Sequence, residues 1–223
     1  MIEAVVFDLD GVIVDSEQVW DAARETLARE RGGRWHEKAQ QEMMGMSSVE
    51  WSRYMHDVIG LEDPPEEISA EVVRRLEVTY REELPLIDGA PEAVARLAER
   101  WPLAVASSSN RPIIDLVLER GGLDRFFEAT VSSEEVPRGK PSPDVYLEAA
   151  RRLGVDPTKT AAVEDSRNGI LSARAAGMRV IAIPNKRFPP GEEALAEADV
   201  VLESISELAS AAVEGDKPSD TGG

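Results

Sequence analysis

Short, uninterrupted apolar runs alternate along this chain with stretches whose apolar residues recur every three or four positions. The first run is Glu3-Ala-Val-Val-Phe7 and the next is Leu103-Ala-Val-Ala106. Runs of this kind, bounded by polar turns, read as strands buried on both faces of a parallel sheet. Ala129–Val131, Ala161–Val163, Val180–Ile183 and Val200–Leu202 continue the series, and helical periods cover 90–100, 111–121, 143–153, 167–176 and 204–213. Strand and helix in alternation predict an α/β fold built on a parallel sheet. In such sheets ligands gather beyond the carboxyl ends of the strands, so chemistry is expected there.

From Asp15 to about Leu84 the rhythm changes. The pattern is helical throughout, with turn signals at Arg31-Gly-Gly33, Gly45 and Asp63-Pro-Pro65. This predicts an all-α helical cap over 15–84, inserted into a core made of 1–14 and 85–213. The cap's ends, near Asp15-Ser16 and Leu84-Pro85, are then the hinges on which it opens and closes. Residues 214–223 are polar and Gly-rich without periodicity, and they predict a flexible tail that cannot offset its ordering entropy.

Composition narrows the function. With 43 acidic against 25 basic residues the formal charge is −18, which repels nucleic acid and anionic membrane. No apolar stretch approaches the about 18 residues of a membrane span, and no basic flank with a long apolar segment opens the chain, so a cytoplasmic location is expected. The absence of cysteine excludes disulfides, thiolate catalysis and Cys-based zinc sites.

Four segments, each just past a predicted strand, carry candidate chemistry. In Asp8-Leu9-Asp10-Gly11 the two carboxylates sit at i and i+2, so both can face one reaction centre. One of such a pair can attack phosphorus while the other protonates the leaving alcohol and later activates water. Ala106-Ser107-Ser108-Ser109-Asn110 offers hydroxyls and backbone N–H groups to phosphate oxygens, and Ser109 or Asn110 also suits a helix N-cap. Lys140, one of only five lysines, can neutralise a transferring phosphate, with Ser142 as N-cap and Pro143 as first residue of the following helix. Val163-Glu164-Asp165-Ser166 adds two more acids. Asp8, Asp10, Glu164 and Asp165 gathered without counter-charge would raise one another's pKa, which a cation relieves. Oxygen-only ligands point to Mg²⁺.

"DLDG", "ASSSN", "GKPSPD" and "VEDSRNG", in this order and spacing, resemble the four motifs of the haloacid dehalogenase superfamily, over the chain up to about residue 213. The resemblance implies a Rossmann-like core with a helical cap, near the beta-phosphoglucomutase and sugar-phosphatase branch. It implies Asp8 as nucleophile, Asp10 as general acid/base, Ser107 as phosphoryl ligand and Lys140 as charge stabiliser. It also implies Mg²⁺ held by Asp8, Asp165 and the Asp10 carbonyl, with Glu164 as ligand or just behind. Ser108, Asn110, Glu17, Trp20 and Ser48 are further candidates for holding the phosphate or the substrate, and Met44, Ser47 and Trp51 for facing the site.

The expected activity is hydrolysis of a small sugar or polyol phosphate through an aspartyl-phosphate, by a monomer whose cap shields the site. Asp10 argues against dehalogenation, and Lys38 lies in a polar stretch unlike a Schiff-base lysine. The rival is a phosphomutase. Mutases of this branch carry histidine where Trp20 stands and arginine where Ser48 stands, so the cap is expected to lack an arginine that grips a second phosphate. A non-catalytic phosphate sensor is a remoter alternative that would not need both aspartates. Arg111 and Arg167 are candidates for extra positive charge, and His36 and His56 read as surface or packing residues.

Overall fold

The computed structural model describes residues 1–43 and 46–215. Met44, Gly45 and all but the first two residues of the expected tail lie outside them. Six strands, β1 (Ala4–Phe7), β2 (Leu103–Ser107), β3 (Phe127–Ser132), β4 (Thr160–Glu164), β5 (Arg179–Ala182) and β6 (Val200–Val201), form one parallel sheet. Their order is β3-β2-β1-β4-β5-β6, so the chain winds outward from β1 one way and then crosses back to the other side. That reversal beside β1 is where an open α/β sheet leaves a crevice for a ligand.

β1 is buried along its whole length. Its alternate side chains divide between two cores, as the two-residue period requires. Val5 and Phe7 join a large cluster with Leu97, Val117 and Ile181, while Val6 joins Ala104, Tyr146, Ala149 and Ile170. Helices α5 (Ala90–Ala98), α6 (Arg111–Gly121), α7 (Asp144–Leu153) and α8 (Arg167–Ala175) connect the central strands, and α9 (Glu192–Leu195) and α10 (Ser210–Glu214) flank the far edge. The fold is therefore the α/β, Rossmann-like architecture expected.

Most boundaries shift by a residue or two, and three differences have a clear physical reason. β3 starts at Phe127, two residues earlier than its apolar run, because only its end is buried. The helix at 143–153 starts at Asp144, with Pro143 rather than Ser142 in the cap position. The expected helix over 204–213 is broken into a 3₁₀ turn, Ile205–Glu207, and α10. Leu208 leaves the helical region at φ −66° and ψ 97°, is fully buried, and gives its carbonyl to Arg96, so burial and a tertiary hydrogen bond overrule local periodicity.

Between β1 and β2 the chain is helical. It forms α1 (Glu17–Glu30), α2 (Ala39–Met43), α3 (Ser48–Tyr54), a π turn over Met55–Ile59 and α4 (Pro65–Glu82). Leucine, isoleucine and aromatic side chains at i, i+4 spacing on α4, from Ile68 through Val72 and Leu76 to Tyr80, form its buried stripe. The two strands of chain entering and leaving this segment are tied together. Asp15 N–H donates to the Pro85 carbonyl at 2.9 Å and Ile87 N–H to the Ile13 carbonyl at 2.9 Å.

Candidate functional site

Asp8 follows the last residue of β1, and its N–H extends the ladder to the Val163 carbonyl of β4 at 2.9 Å. Its side chain thereby emerges at the carboxyl end of the sheet, 6% exposed. The turn after Asp10 uses Gly11 at φ 77°, where a Cβ would stand 1.9 Å from Asp165 Oδ2. Only glycine lets the first loop approach the loop after β4 this closely. Lys140, from the loop between β3 and α7, brings Nζ to 2.9 Å from Asp8 Oδ1 and 2.6 Å from Glu164 Oε1.

Glu164 is completely enclosed. Its Oε1 accepts from Lys140 and, at 2.6 Å, from the Tyr146 hydroxyl, while Oε2 accepts from the N–H groups of Asp165 and Ser166 and from the Ser166 hydroxyl. A Cβ on Gly169 would overlap the Glu164 carboxylate at 1.8 Å, so glycine there makes its berth.

Asp8, Glu164 and Asp165 bring carboxylate oxygens within 4.8 Å of one another, all buried. One lysine faces three carboxylates. Burial, then the charges of Glu164 and Asp10, push Asp8 up to about 8 against the opposing pull of Lys140. Burial, then the charges of Glu164, Asp8 and Glu17, hold Asp165 well above the ordinary carboxylate range. Burial alone would lower Lys140, but Asp8 and Glu164 outweigh it and hold the ammonium charged. A buried, oxygen-rich group with too little positive charge has the chemistry that suits a hard divalent cation. With every Glu164 oxygen already bonded to protein, Asp8 and Asp165 are the carboxylates left free to contact one.

The Asp10 carboxylate lies outside this triad and is held by three donors. Trp20 Nε1 reaches Oδ1 at 3.2 Å, and the hydroxyls of Ser107 and Ser109 reach Oδ2 at 3.2 and 2.6 Å. Ser107 also accepts from Ser109 N–H, whereas the Ser108 hydroxyl, on the wall of the cavity, is buried without a partner among the described residues. Of the three serines it is Ser108 that has a hydroxyl to offer an incoming oxygen.

Asp8, Asp10, Glu17, Trp20, Ser108, Lys140 and Asp165 share one cavity, with Arg24, Gln40, Met43, Met46 and Trp51 among its other walls. Burial and the nearby charges of Asp15 and Asp10 push Glu17 up to about 7. Several expected residues are elsewhere. Asn110 Nδ2 and Ser48 Oγ both donate to Glu134 Oε1, at 2.8 and 3.2 Å, and they line a separate hollow beside Ser69. Asn110 occupies the N-cap position of α6 without a side-chain cap bond, because its amide is drawn to Glu134. Ser47 forms a capping box with Glu50. Arg111 binds Glu135, Asp115 and Thr130, and Arg167 lies 3.7 Å from Glu193, both away from the cavity. His36 contacts Tyr54 and His56 the Asp63 carbonyl.

No arginine stands at Ser48, as expected from the sequence, but the helical segment brings a different one to the cavity wall. Arg24 reaches the cavity from α1, 8% exposed, with its guanidinium 4.8 Å from the Trp20 ring and 4.6 Å from the Trp51 ring. Its one sequence signal was the i, i+4 spacing from Trp20, which puts both on one helix face. Ser109, expected in the phosphate cradle or as a cap, instead gives its hydroxyl to Asp10.

The family model described as "Hydrolase: haloacid dehalogenase-like hydrolase" matches residues 2–177. Hexitol phosphatase B of Escherichia coli (strain K12) is 33% identical, over 92% of this chain and 93% of its own. Among solved structures, CbbY from Rhodobacter sphaeroides in complex with xylulose-(1,5)bisphosphate superposes with a TM-score of 0.85 at 28% identity, covering 96% of this chain and 99% of that one. A beta-phosphoglucomutase from Clostridium difficile superposes at a TM-score of 0.84 over 96% of each chain with 23% identity, which shows a shared fold.

Proposed function

The chain belongs to the haloacid dehalogenase-like hydrolases, and from that premise we propose that it is a Mg²⁺-dependent phosphoric monoester hydrolase acting on a small sugar or polyol phosphate. The observation that carries this reading is the Asp8 carboxylate, buried at the sheet's carboxyl end with Lys140 Nζ at 2.9 Å and Asp165 among its neighbours.

Asp8 attacks phosphorus, its oxygen forming the new P–O bond as the bond to the leaving alcohol breaks. Lys140 balances charge on the nucleophile and on the transferring phosphoryl group. Asp10 gives a proton to the departing alkoxide and then takes one from the water that releases phosphate from the aspartyl-phosphate. The donors now on Asp10, Trp20 from α1, Ser107 at the end of β2 and Ser109 from the loop after it, fix its orientation while substrate enters. Glu164 is a positioning residue that aims Lys140. The Ser108 hydroxyl receives a phosphoryl oxygen. Asp8, Asp165 and the Asp10 carbonyl would hold Mg²⁺, which when bound screens the negative charge of the phosphoryl oxygens. The helical segment 15–84 acts as a cap, closing over the cavity about the paired Ile13–Asp15 and Pro85–Ile87 links.

Hexitol phosphatase B, by its name, acts on a hexitol phosphate, and likeness over nine-tenths of both chains supports a polyol or sugar ester here. Arg24 gives some support to a second reading, a phosphomutase, since a cap arginine could hold a second phosphate. The test is phosphate release, with and without Mg²⁺, from sugar 1- and 6-phosphates, polyol phosphates and beta-glucose 1-phosphate, with products identified by NMR. Metal-dependent release that Asp8→Asn abolishes is expected. Conversion of glucose 1-phosphate to glucose 6-phosphate without release would establish the mutase instead, and inertness toward every ester would remove both.

A further inference from the structure

Arg24 is the cationic wall residue of the cavity whose chemistry the hydrolytic scheme leaves unused. It is buried, its Nε has no hydrogen-bond partner, and no ion pair among the described residues includes it. Asp10, Asp21 and Tyr80 act on it only at longer range, and burial pulls its guanidinium down to about 10. A permanent cation withdrawn from water and left without an anion is an unfavourable arrangement unless something else supplies the anion.

The two tryptophans explain how the charge is tolerated in the meantime. Trp20 and Trp51 meet edge to face at 5.8 Å, and the guanidinium lies against both rings. Contact with the two rings holds the planar fork in place, while no acceptor among the described residues meets its N–H groups. The same Trp20 donates its indole N–H to Asp10. Arg24 therefore stands one indole ring away from the acid/base carboxylate, on the cavity wall that α1 contributes.

We propose that Arg24 is the specificity-determining residue of this site: it receives an oxyanion at the end of the substrate remote from the scissile phosphate, so that the substrate class is a compact organic phosphate bearing a second acidic group. A hydroxyl would satisfy an N–H but leave the charge uncompensated. A carboxylate or a second phosphate does both, and accepts two parallel bonds from the fork. This rests on the phosphatase reading for its chemistry, while the binding preference it predicts does not require turnover.

The experiment compares matched esters: sorbitol 6-phosphate against 6-phosphogluconate, and fructose 6-phosphate against fructose 1,6-bisphosphate. Binding is measured by calorimetry on Asp8→Asn with Mg²⁺ present, and kcat/KM on the unaltered chain. The acid-bearing member of at least one pair should bind about tenfold tighter or more, and which pair responds tells carboxylate from phosphate. Adding Arg24→Gln should erase that preference while leaving the affinity for the neutral member within about threefold, and Arg24→Lys should restore part of it. A stacking-only role would lower both members alike and would not be rescued by lysine. Absence of a preference in the unaltered site, or its survival in Arg24→Gln, overturns the assignment; the first of these and the lysine variant decide the matter even if Arg24→Gln does not fold. Should no ester be hydrolysed while the arginine-dependent preference stands, the hydrolytic reading fails and the role of Arg24 survives.

Discussion

Glu17 shows how a single carboxyl at the mouth of the cavity records its surroundings. Its pKa is about 7 against an ordinary 4.5, through burial first and then the charges of Asp15 and Asp10. The sign follows directly. Below the unfolded value both states hold the proton and the group costs nothing. As pH rises toward 7 the unfolded chain releases its proton while the folded chain keeps it, so stability falls, and the loss levels off above the folded value. Glu17→Gln should therefore raise the melting temperature at about pH 8 and leave it unchanged at about pH 3.5, with a gain of about 1–3 °C since the group is partly solvated. Thermal unfolding in metal-free buffer checks this, and an equal effect at both pH values would contradict it. Asp8, Asp10, Lys140, Glu164 and Asp165 were legible in the sequence as a group because each lies at or beyond the carboxyl end of a strand, where topology converges them. Arg24 was not legible, because nothing in an arginine on an amphipathic helix tells whether its head group meets water or two indole rings. Ser48 and Asn110 were misplaced for a related reason: Glu134, remote in sequence, draws both to itself.

At the scale of elements, the join of β4 to α8 is the most constrained turn. Gly169 is the third residue of α8, a position where alanine would ordinarily stabilise a helix by about 1 kcal/mol. Here the added methyl would displace the Glu164 carboxylate and break its bonds with Lys140, Tyr146 and two backbone N–H groups. Gly169→Ala should then destabilise the fold by about 2–4 kcal/mol, opposite in sign to the helix effect, and should slow turnover because Lys140 loses a partner that aims it. Urea unfolding gives the sign without ambiguity, and a more stable variant would show that Glu164 can relocate freely. The central strands were readable because burial on both faces leaves a continuous apolar run. β3 was under-read at its start because Phe127-Glu128 is half exposed, and the helix at 204–213 was over-read because the turning inward of Leu208 leaves no trace in periodicity. The segment from 17 to 82 read correctly as helical from its regular stripes, but the cross-link between Asp15 and Pro85 rests on single hydrogen bonds that no pattern announces.

The whole molecule sets a contradiction that the site must resolve. The chain carries a formal charge of −18, yet the proposed substrate is an anion and the proposed further preference is for a doubly acidic one. Lys140 and Arg24 sit deep inside and are both nearly enclosed, so their fields act on a bound ester rather than on one still in solution. The long-range field that meets an arriving substrate is the acidic one, and it acts over the Debye length, about 10 Å at 0.1 M salt. Salt screens that repulsion while hardly touching the buried contacts. With free Mg²⁺ held constant, raising KCl from about 20 to about 200 mM should increase kcat/KM for a sugar phosphate about two- to fivefold and leave kcat nearly unchanged. The increase should be larger for an ester with two acidic groups than for one, since repulsion scales with the charge that approaches. A decrease with salt would mean that the positive charge of Lys140 and Arg24 reaches beyond the cavity mouth and governs the encounter, so that the acidic surface has no part in substrate capture.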